Sequence, residues 1–285
     1  MLNENADRSA FYLTMSRAFL APQSSEVFEG FRDVLVDDLS DYGSLLGYPI
    51  EDRAGCLKRV IESVGGHEQL LQLYSALFLQ PPRLAYLNAS LHLDGAILGR
   101  SADAIERAYA RHGLGRAERF GDLPDHLSLQ LEFVAFLYGR AAEEPTAEQA
   151  LVAEAQDFIR SLVLAWTPML GRQLQASVME HELHPLYLHL IGILHEALMV
   201  DAGEIPEALW AVIDPERAAV RKAQQREMVH CRECGVAIAP AGRVRRVKKV
   251  LEREGIDASH LDLCIDCRGA PQALMAQLTV AGALR

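Results

Sequence analysis

Apolar residues recur at helical spacing along most of the first 214 residues, and no convincing stretch alternates apolar and polar side chains as a half-buried strand does. Proline and glycine residues bound the stretch at 80–99, which is predicted to form a loop. The pattern predicts an all-α fold, a single helical bundle, with helices over residues 9–20, 26–46, 51–64, 67–79, 101–112, 124–141, 146–170 and 185–200.

Residues 124–141 form the most apolar of these predicted helices. Leu127 and Leu131 belong to one apolar stripe, and a second apolar stripe runs beside it. A helix that is apolar over most of its circumference is expected in the middle of a bundle. Pro124 suits the first turn of this helix, and Asp125 favours the positive helix N-terminus.

A polar stripe interrupts this apolar helix, because Asp125, Ser128 and Glu132 are spaced to share one helix face. An unpaired buried carboxylate is costly, so the stripe requires partners. Arg17 of the first predicted helix is one candidate, and the arginines of a bound ligand are another. An N-cap acid with an internal ion pair explains the same pattern without any ligand.

Charge is unevenly distributed along the chain. Residues 1–214 have a net charge of −16, whereas residues 215–285 have a net charge of +5. An acidic body attracts basic segments and repels nucleic acid, although plain solubility explains the same excess of acid.

Composition places the chain among globular proteins, since half of its residues are apolar and a sizeable core can be buried. No apolar run is long enough to span a bilayer, so no membrane insertion is expected. The N-terminus lacks a basic region followed by an apolar region, so it is not a secretory signal. We therefore expect a cytoplasmic location, where paired cysteines are more often metal ligands than disulfides.

Four of the five cysteines form two Cys-x-x-Cys pairs near the end of the chain, Cys231 with Cys234 and Cys264 with Cys267. Two such pairs complete a tetrahedral four-sulfur site, and the pattern predicts one structural Zn2+ per chain. An iron–sulfur cluster also accepts four cysteines, and a neighbouring histidine is a further candidate ligand. The basic run at 243–249 between the pairs either helps to keep the thiolates ionised or forms a contact surface.

Four histidines in the segment HELHPLYLHLIGILHE resemble a metalloprotease helix at first sight: His181, His184, His189 and His195. Their spacing does not match that motif, because the first two are three residues apart and Pro185 separates them from the others. Neither a glycine-rich phosphate loop nor a Ser/His/Asp pattern is found, so no enzymatic activity is predicted, and a hydrolase or metalloenzyme that uses the histidines is a minor alternative.

Several segments, taken in order, resemble a known protein family. These are FYLTMSRAFLAP with Arg17, LYSALFLQPP with Tyr74 and Phe78, and LPDHLSLQLEFVAFL with Pro124, Asp125, His126 and Glu132. Their order and spacing over residues 8–200 are similar to the TorD/DmsD-like family of molybdoenzyme maturation chaperones. The C-terminal cysteine pairs depart from that family's pattern.

The resemblance implies a non-enzymatic chaperone with an all-helical domain. Its partners would be the apo form of a molybdopterin oxidoreductase subunit and its twin-arginine leader peptide, held while cofactor is inserted and before release or export. By position, the implied client-binding residues are Asp125, His126, Glu132, Arg17, Tyr74, Phe78 and Pro124. The acidic body is compatible with this role, because carboxylates pair bidentately with arginines.

The predicted organisation is a chaperone domain at 1–213, a connecting helix at 214–229 and a zinc-binding module at 230–285, in a monomer or homodimer. The alternative is a zinc-ribbon regulatory protein that binds nucleic acid through its basic C-terminal module. The acidic body and the lack of aromatic residues in the basic run argue against nucleic acid as the partner.

Overall fold

The computed structural model describes residues 3–117, 120–206, 209, 212–214, 228–253, 255, 257–264 and 267. The chain divides into two compact units, a body at Met1–Ile213 and a module at Asp214–Arg285. The all-α prediction for the fold is confirmed, and no helix of the described residues is long and apolar enough to cross a membrane.

The body is a succession of helices, and the stretches before Ala89 and before Leu127 are its longer connections. In chain order they are α1 (Glu4–Ala18), α2 (Ser25–Gly30), α3 (Val36–Leu46), α4 (Glu51–Glu62), α5 (His67–Tyr74), α6 (Ala89–Leu93), α7 (Arg100–Ala110), α8 (Leu127–Glu143), α9 (Glu148–Phe158), α10 (Thr167–His181) and α11 (Leu186–Asp201). Three π-helical stretches continue α2, α5 and α9, at Phe31–Leu35, Ser75–Leu79 and Ile159–Val163.

Helix α8 is the centre of the body, as the sequence predicted. It packs against α1 and α9, and the side chains of Leu127, Leu131 and Val134 are fully buried. Each such side chain contributes about 1.5–3 kcal/mol when it is removed from water. The helices around α8 are therefore held mainly by the apolar surface that they share with it.

The predicted helix at 146–170 is interrupted. It begins as α9, continues through the π-helical stretch and ends before α10 starts at Thr167. Pro168 lies in the first turn of α10, where its missing N–H costs nothing. A proline at that position marks the start of a new helix, and the continuous prediction was wrong there.

The predicted loop at 80–99 contains the short helix α6 and is joined to the beginning of α8. Asn88 forms an antiparallel bridge with His126, and the Leu127 N–H donates to the Leu87 carbonyl at 2.8 Å. Because this bridge keeps the backbone before Leu127 extended, α8 begins three residues later than the sequence predicted.

The C-terminal module contains a hairpin, which the sequence did not predict. Strand β1 (Met228–His230) pairs antiparallel with β2 (Ala237–Pro240), and helix α12 (Ala241–Arg253) and a 3-10 turn at Ser259–Asp262 follow. Most of the connecting helix predicted at 214–229 lies outside the described residues. Its last two positions belong to β1, so the predicted helix does not reach residue 229.

A buried carboxylate joins the two ends of the body. Asp201, at the end of α11, accepts hydrogen bonds from the Tyr12 hydroxyl at 2.8 Å, from the Tyr48 hydroxyl and from Arg8 Nε at 3.1 Å. Burial raises the pKa of Asp201, and the hydrogen bonds from Tyr48 and Tyr12 act against that rise. The three donors compensate the desolvated charge and tie α1 and the turn after α3 to α11.

Replacing this carboxylate is expected to be costly. Asp201→Ala leaves Arg8 without its buried partner and should lower the free energy of unfolding by about 3 kcal/mol, measured by urea denaturation. Asp41→Asn, at an exposed position of α3, is the matched control and should change it by less than about 0.5 kcal/mol. Equal effects of the two substitutions would contradict the assigned role of Asp201.

Candidate functional site

A cavity of about 920 Å³ opens among α1, the α2–α3 segment, the end of α5 and the stretch that leads into α8. Its lining combines apolar side chains with four charged ones, Arg17, Asp38, Asp122 and Glu132. Three carboxylates against one guanidinium give the cavity an acidic character. We call it the acidic cavity.

The structure brings some of the predicted client-binding residues together. Those that line the acidic cavity are Arg17, Tyr74, His126 and Glu132, whereas Phe78, Pro124 and Asp125 do not line it. The residues of the second group lie behind the cavity wall. That these three residues bind a client stays a prediction. In the structure they contact other residues of the body and support the cavity wall.

Phe78 and Pro124 are packed inside the body. The Phe78 ring lies 5.0 Å from the Tyr74 ring and 5.2 Å from the Tyr187 ring, measured between centroids. The Pro124 carbonyl accepts a hydrogen bond from the Tyr109 hydroxyl at 3.3 Å. Phe78 thus supports Tyr74, which itself reaches the cavity.

Asp125 is fully buried and connects α6 to α8. Its carboxylate accepts from the Ser90 N–H at 2.7 Å, and its backbone carbonyl accepts from the Ala89 N–H at 3.1 Å and from Gln130 Nε2 at 2.7 Å. Its other carboxylate oxygen has no hydrogen-bond partner. Asp125 therefore fixes the backbone that positions His126.

The predicted polar stripe on one helix face is wrong. Asp125 lies before the first residue of α8, Ser128 is fully buried, and Glu132 is exposed. Helical spacing places residues on a common face only if all of them belong to the helix. Asp125 lies in the turn before α8, so that condition is not met.

His126 is the N-cap of α8. Its Nδ1 accepts from the Ser128 N–H at 3.1 Å, so in the neutral ring the proton is on Nε2. Burial lowers the pKa of His126, although Asp122 and Asp125 act to raise it. The sequence did not reveal this role, because N-caps are usually Ser, Thr, Asp or Asn.

Glu132 and Arg17 face the cavity without a close ion pair. In the described part of the chain, no bridge within 4.0 Å joins their charged groups. Burial raises the pKa of Glu132, and Arg17 acts in the opposite direction. Both side chains are therefore available to a ligand.

Two carboxylates of the cavity were not singled out from the sequence. Asp122 accepts hydrogen bonds from Asn88 Nδ2 at 2.9 Å and from the Leu123 N–H at 2.7 Å. Asp38 is half-buried and makes no hydrogen bond within the described part of the chain. The available signal was the acidic excess of the body, which identifies no single residue.

The two cysteine pairs converge in the module. The sulfur atoms of Cys231, Cys234, Cys264 and Cys267 all lie within 4.8 Å of one another, and those of Cys234 and Cys264 are 3.6 Å apart. A tetrahedral ion with metal–sulfur bonds of about 2.3 Å separates its sulfurs by about 3.8 Å. The four cysteines can therefore hold one metal ion.

Local backbone geometry creates this arrangement. Cys231 follows β1, its N–H donates to the Val236 carbonyl at 2.8 Å, and its carbonyl accepts from the Gly235 N–H at 2.9 Å. Gly235 has a φ of 74°, a left-handed conformation in which glycine is favoured. The neighbouring Cys264 and Cys234 sulfurs raise the pKa of the Cys267 thiol, and a bound cation would remove that penalty.

Part of the basic run has an intramolecular partner. Lys248 Nζ lies 2.7 Å from each carboxylate oxygen of Asp262, and the Arg232 N–H donates to the Asp262 carbonyl at 2.9 Å. The side chains of Arg243 and Arg246 lie outside the described residues. Within the described part, Asp262 links α12 to both cysteine pairs.

The four histidines of the α10–α11 segment do not form a metal site with one another. His184 Nε2 lies 2.9 Å from the Ser63 hydroxyl, and His181 is exposed at the end of α10. Among the described residues, the four cysteines are the group of potential ligands whose atoms lie close together.

Comparisons with known proteins agree with the geometry of the body. The family model described as nitrate reductase delta subunit matches residues 49–171. The chain is 28% identical over 164 residues to the chaperone protein TorD of Vibrio cholerae. The aligned region covers 56% of this chain and 72% of that protein. The chain is 23% identical over 180 residues to the chaperone protein TorD of Photobacterium profundum, covering 60% and 83%.

The resemblance to the TorD/DmsD-like family is confirmed. The region matched by the family model includes Tyr74, His126 and Glu132, three of the residues that line the acidic cavity. It does not include the four cysteines, which belong to the module. The TorD-like part of the chain is thus the body.

The buried His126 gives a prediction about pH. Folding lowers the pKa of this imidazole below its unfolded value of about 6.5, so near and below that pH the unfolded chain binds more protons than the folded chain does. Stability should therefore fall as the pH falls from 6.5 towards 5. His126→Asn keeps an N-cap acceptor, so it should show a shallower loss over that range in urea unfolding.

Two further observations test the assignment. His126→Ala removes the cap and should lower the free energy of unfolding at pH 7.5 by about 1 kcal/mol more than His126→Asn does. Identical pH slopes for the native chain and His126→Asn would be inconsistent with a neutral, buried His126.

Proposed function

We propose that this chain is a cytosolic, non-enzymatic chaperone that binds the apo form or the twin-arginine leader of a molybdopterin oxidoreductase. In this role it assists cofactor insertion and assembly before the client is released or exported. The TorD relatives are named chaperones, which supports the class of function. The observation that carries the proposal is the acidic cavity with its apolar walls.

The cavity suits a short basic and apolar peptide. No side chain among the described residues bonds to the carboxylates of Asp38 and Glu132, and each carboxylate can accept two parallel hydrogen bonds from an arginine guanidinium. A volume of about 920 Å³ holds several side chains of an extended segment. The apolar lining would receive the uncharged residues that flank the arginines.

The neighbouring cavity residues have distinct roles in this proposal. Neutral His126 can donate from Nε2, and Tyr74 contributes an aromatic wall supported by Phe78. Arg17 lies among the carboxylates of the cavity and reduces the repulsion between them before the client binds. Asp125 acts through the backbone, because it positions His126 and the α6 segment.

Removing two carboxylates should weaken client binding. We expect Asp38→Asn/Glu132→Gln to bind a peptide with two adjacent arginines about tenfold less tightly than the native chain, because two charge-assisted contacts are lost. Isothermal titration calorimetry at low and at physiological salt measures the difference. The salt dependence should also decrease in the variant.

The matched control is Asp103→Asn/Glu106→Gln, which removes two exposed carboxylates of α7 that do not line the cavity. This variant should bind like the native chain. Replacing both peptide arginines by lysine should also weaken binding, because lysine has no planar fork. Equal loss in the two double variants would argue against the acidic cavity as the binding site.

The metal of the module is proposed to be a structural zinc ion, one per chain. Sulfur atoms within 4.8 Å of one another suit a single ion, whereas an iron–sulfur cluster would lie between its ligands and separate them further. The Lys248–Asp262 ion pair gives the basic run a structural task beside the ligands. That task favours a basic run that stabilises the metal-binding module over a basic run that binds nucleic acid.

Loss of one ligand should unfold the module alone. Cys231→Ser is expected to lose the roughly one zinc per chain found in the native protein, because metal binding and folding are coupled in such modules. Limited proteolysis should then cleave the module while the helical body resists. Elemental analysis and circular dichroism measure metal content and helicity.

The fifth cysteine provides the control. Cys56 lies in α4, far in sequence from the metal ligands, so Cys56→Ser should keep its zinc and its protease resistance. Global unfolding of the body in Cys231→Ser would refute independent folding of the two units.

A further inference from the structure

A second cavity, of about 420 Å³, lies within the body among α4, α10 and α11. The charged and polar side chains in its lining are those of Arg53, Thr167, Arg172, Gln175, His189 and His195. None of these residues lines the acidic cavity. We call this second site the arginine cavity.

The arginine cavity has the opposite charge to its surroundings. Among the described lining residues there are two guanidinium groups and no carboxylate, although residues 1–214 have a net charge of −16. Glu196 is outside the lining and pairs with Arg53 Nε. Burial lowers the pKa of His189 and His195, and the positive charge of Arg53 lowers both further.

Several polar atoms of this site have no partner among the residues that the structure describes. Thr167 Oγ1, His189 Nδ1 and His195 Nε2 are buried and make no hydrogen bond to those residues. Thr167 is only 1% exposed. Buried polar atoms are nearly always paired, so three unpaired ones around one cavity indicate that a polar ligand completes the site.

A glycine allows Arg53 to lie against α11. A Cβ atom at Gly192 would come within 2.6 Å of one terminal nitrogen of Arg53. Any other residue at this position would displace the guanidinium. Arg172 donates from one terminal nitrogen to the Val212 carbonyl at 3.3 Å, which leaves its remaining N–H groups for a ligand.

We propose that the arginine cavity binds the phosphate group of a small ligand. A phosphate dianion offers several acceptor oxygens to two planar guanidinium groups, and the Thr167 hydroxyl, the Gln175 amide and the imidazoles can donate to the remaining ones. The volume exceeds that of free phosphate, so the cavity has room for the organic part of a phosphomonoester. This inference is independent of client binding in the acidic cavity.

The experiment is calorimetric titration of the full chain with inorganic phosphate and, separately, with glycerol 3-phosphate. Both are expected to bind to the native chain, and tighter binding of the ester would identify an organic phosphate as the ligand class. Arg172→Gln should weaken binding about tenfold, since it removes one charged fork. Gly192→Ala should weaken it as well, because it displaces Arg53 while the charge is kept.

Arg83→Gln, at an exposed arginine outside the cavity, is the matched control and should bind phosphate like the native chain. Proton NMR of the imidazoles adds a local readout, because a bound dianion should raise the pKa of His195. Thermal unfolding confirms that each variant is folded. No binding by the native chain at millimolar phosphate, or equal loss in Arg83→Gln and Arg172→Gln, would overturn the proposal.

Discussion

The body depends on one constraint: α8 is apolar over most of its circumference, so protein must surround it on most sides. The polar groups at its start then have no access to bulk water and require partners from neighbouring segments. Asp125 and Gln130 meet this requirement by bonding to α6 and to each other, and Gln130 Oε1 accepts from Trp166 Nε1 at 3.2 Å. The buried start of α8 thus fixes the residues just before it and two other segments, α6 and the residues just before α10.

The same constraint separates structural carboxylates from available ones. Asp125 and Asp201 are buried, and their hydrogen bonds fix neighbouring elements. Asp38 and Glu132 lie at the edge of the apolar packing and keep unshared lone pairs. The acidic and arginine cavities are lined by charged side chains of opposite sign. In both, part of the hydrogen-bonding capacity of these side chains is not used by the described residues of the body.

Much of this arrangement could be predicted from the sequence. Helical spacing identified the all-α body and the central position of α8, and the resemblance to a family brought Arg17, Tyr74, His126 and Glu132 together. These predictions depend on local periodicity and on the order of segments. The paired cysteines were equally predictable, because a two-residue gap is itself a ligand geometry.

The remaining features depend on contacts between distant segments. Sequence spacing placed Asp125 inside α8, whereas it lies in the turn before that helix and accepts hydrogen bonds from the backbone of α6. Asp38 and Asp122 approach the other cavity residues only in the folded chain. The histidines of α11 were correctly separated from a metalloprotease motif, but the arginines that face His189 and His195 come from α4 and α10. Single-helix periodicity contains no information about such neighbours.

The spacing of the cysteine pairs along the chain affects the chain entropy that the module loses when it folds. Cys234 and Cys264 are 30 residues apart, and bringing the ends of such a loop together costs about 3 kcal/mol of chain entropy. Among the described residues of the module, few side chains are buried to offset that cost. Its folded fraction would then follow the concentration of free metal around it, so the order of the last part of the chain would be set by the surrounding solution.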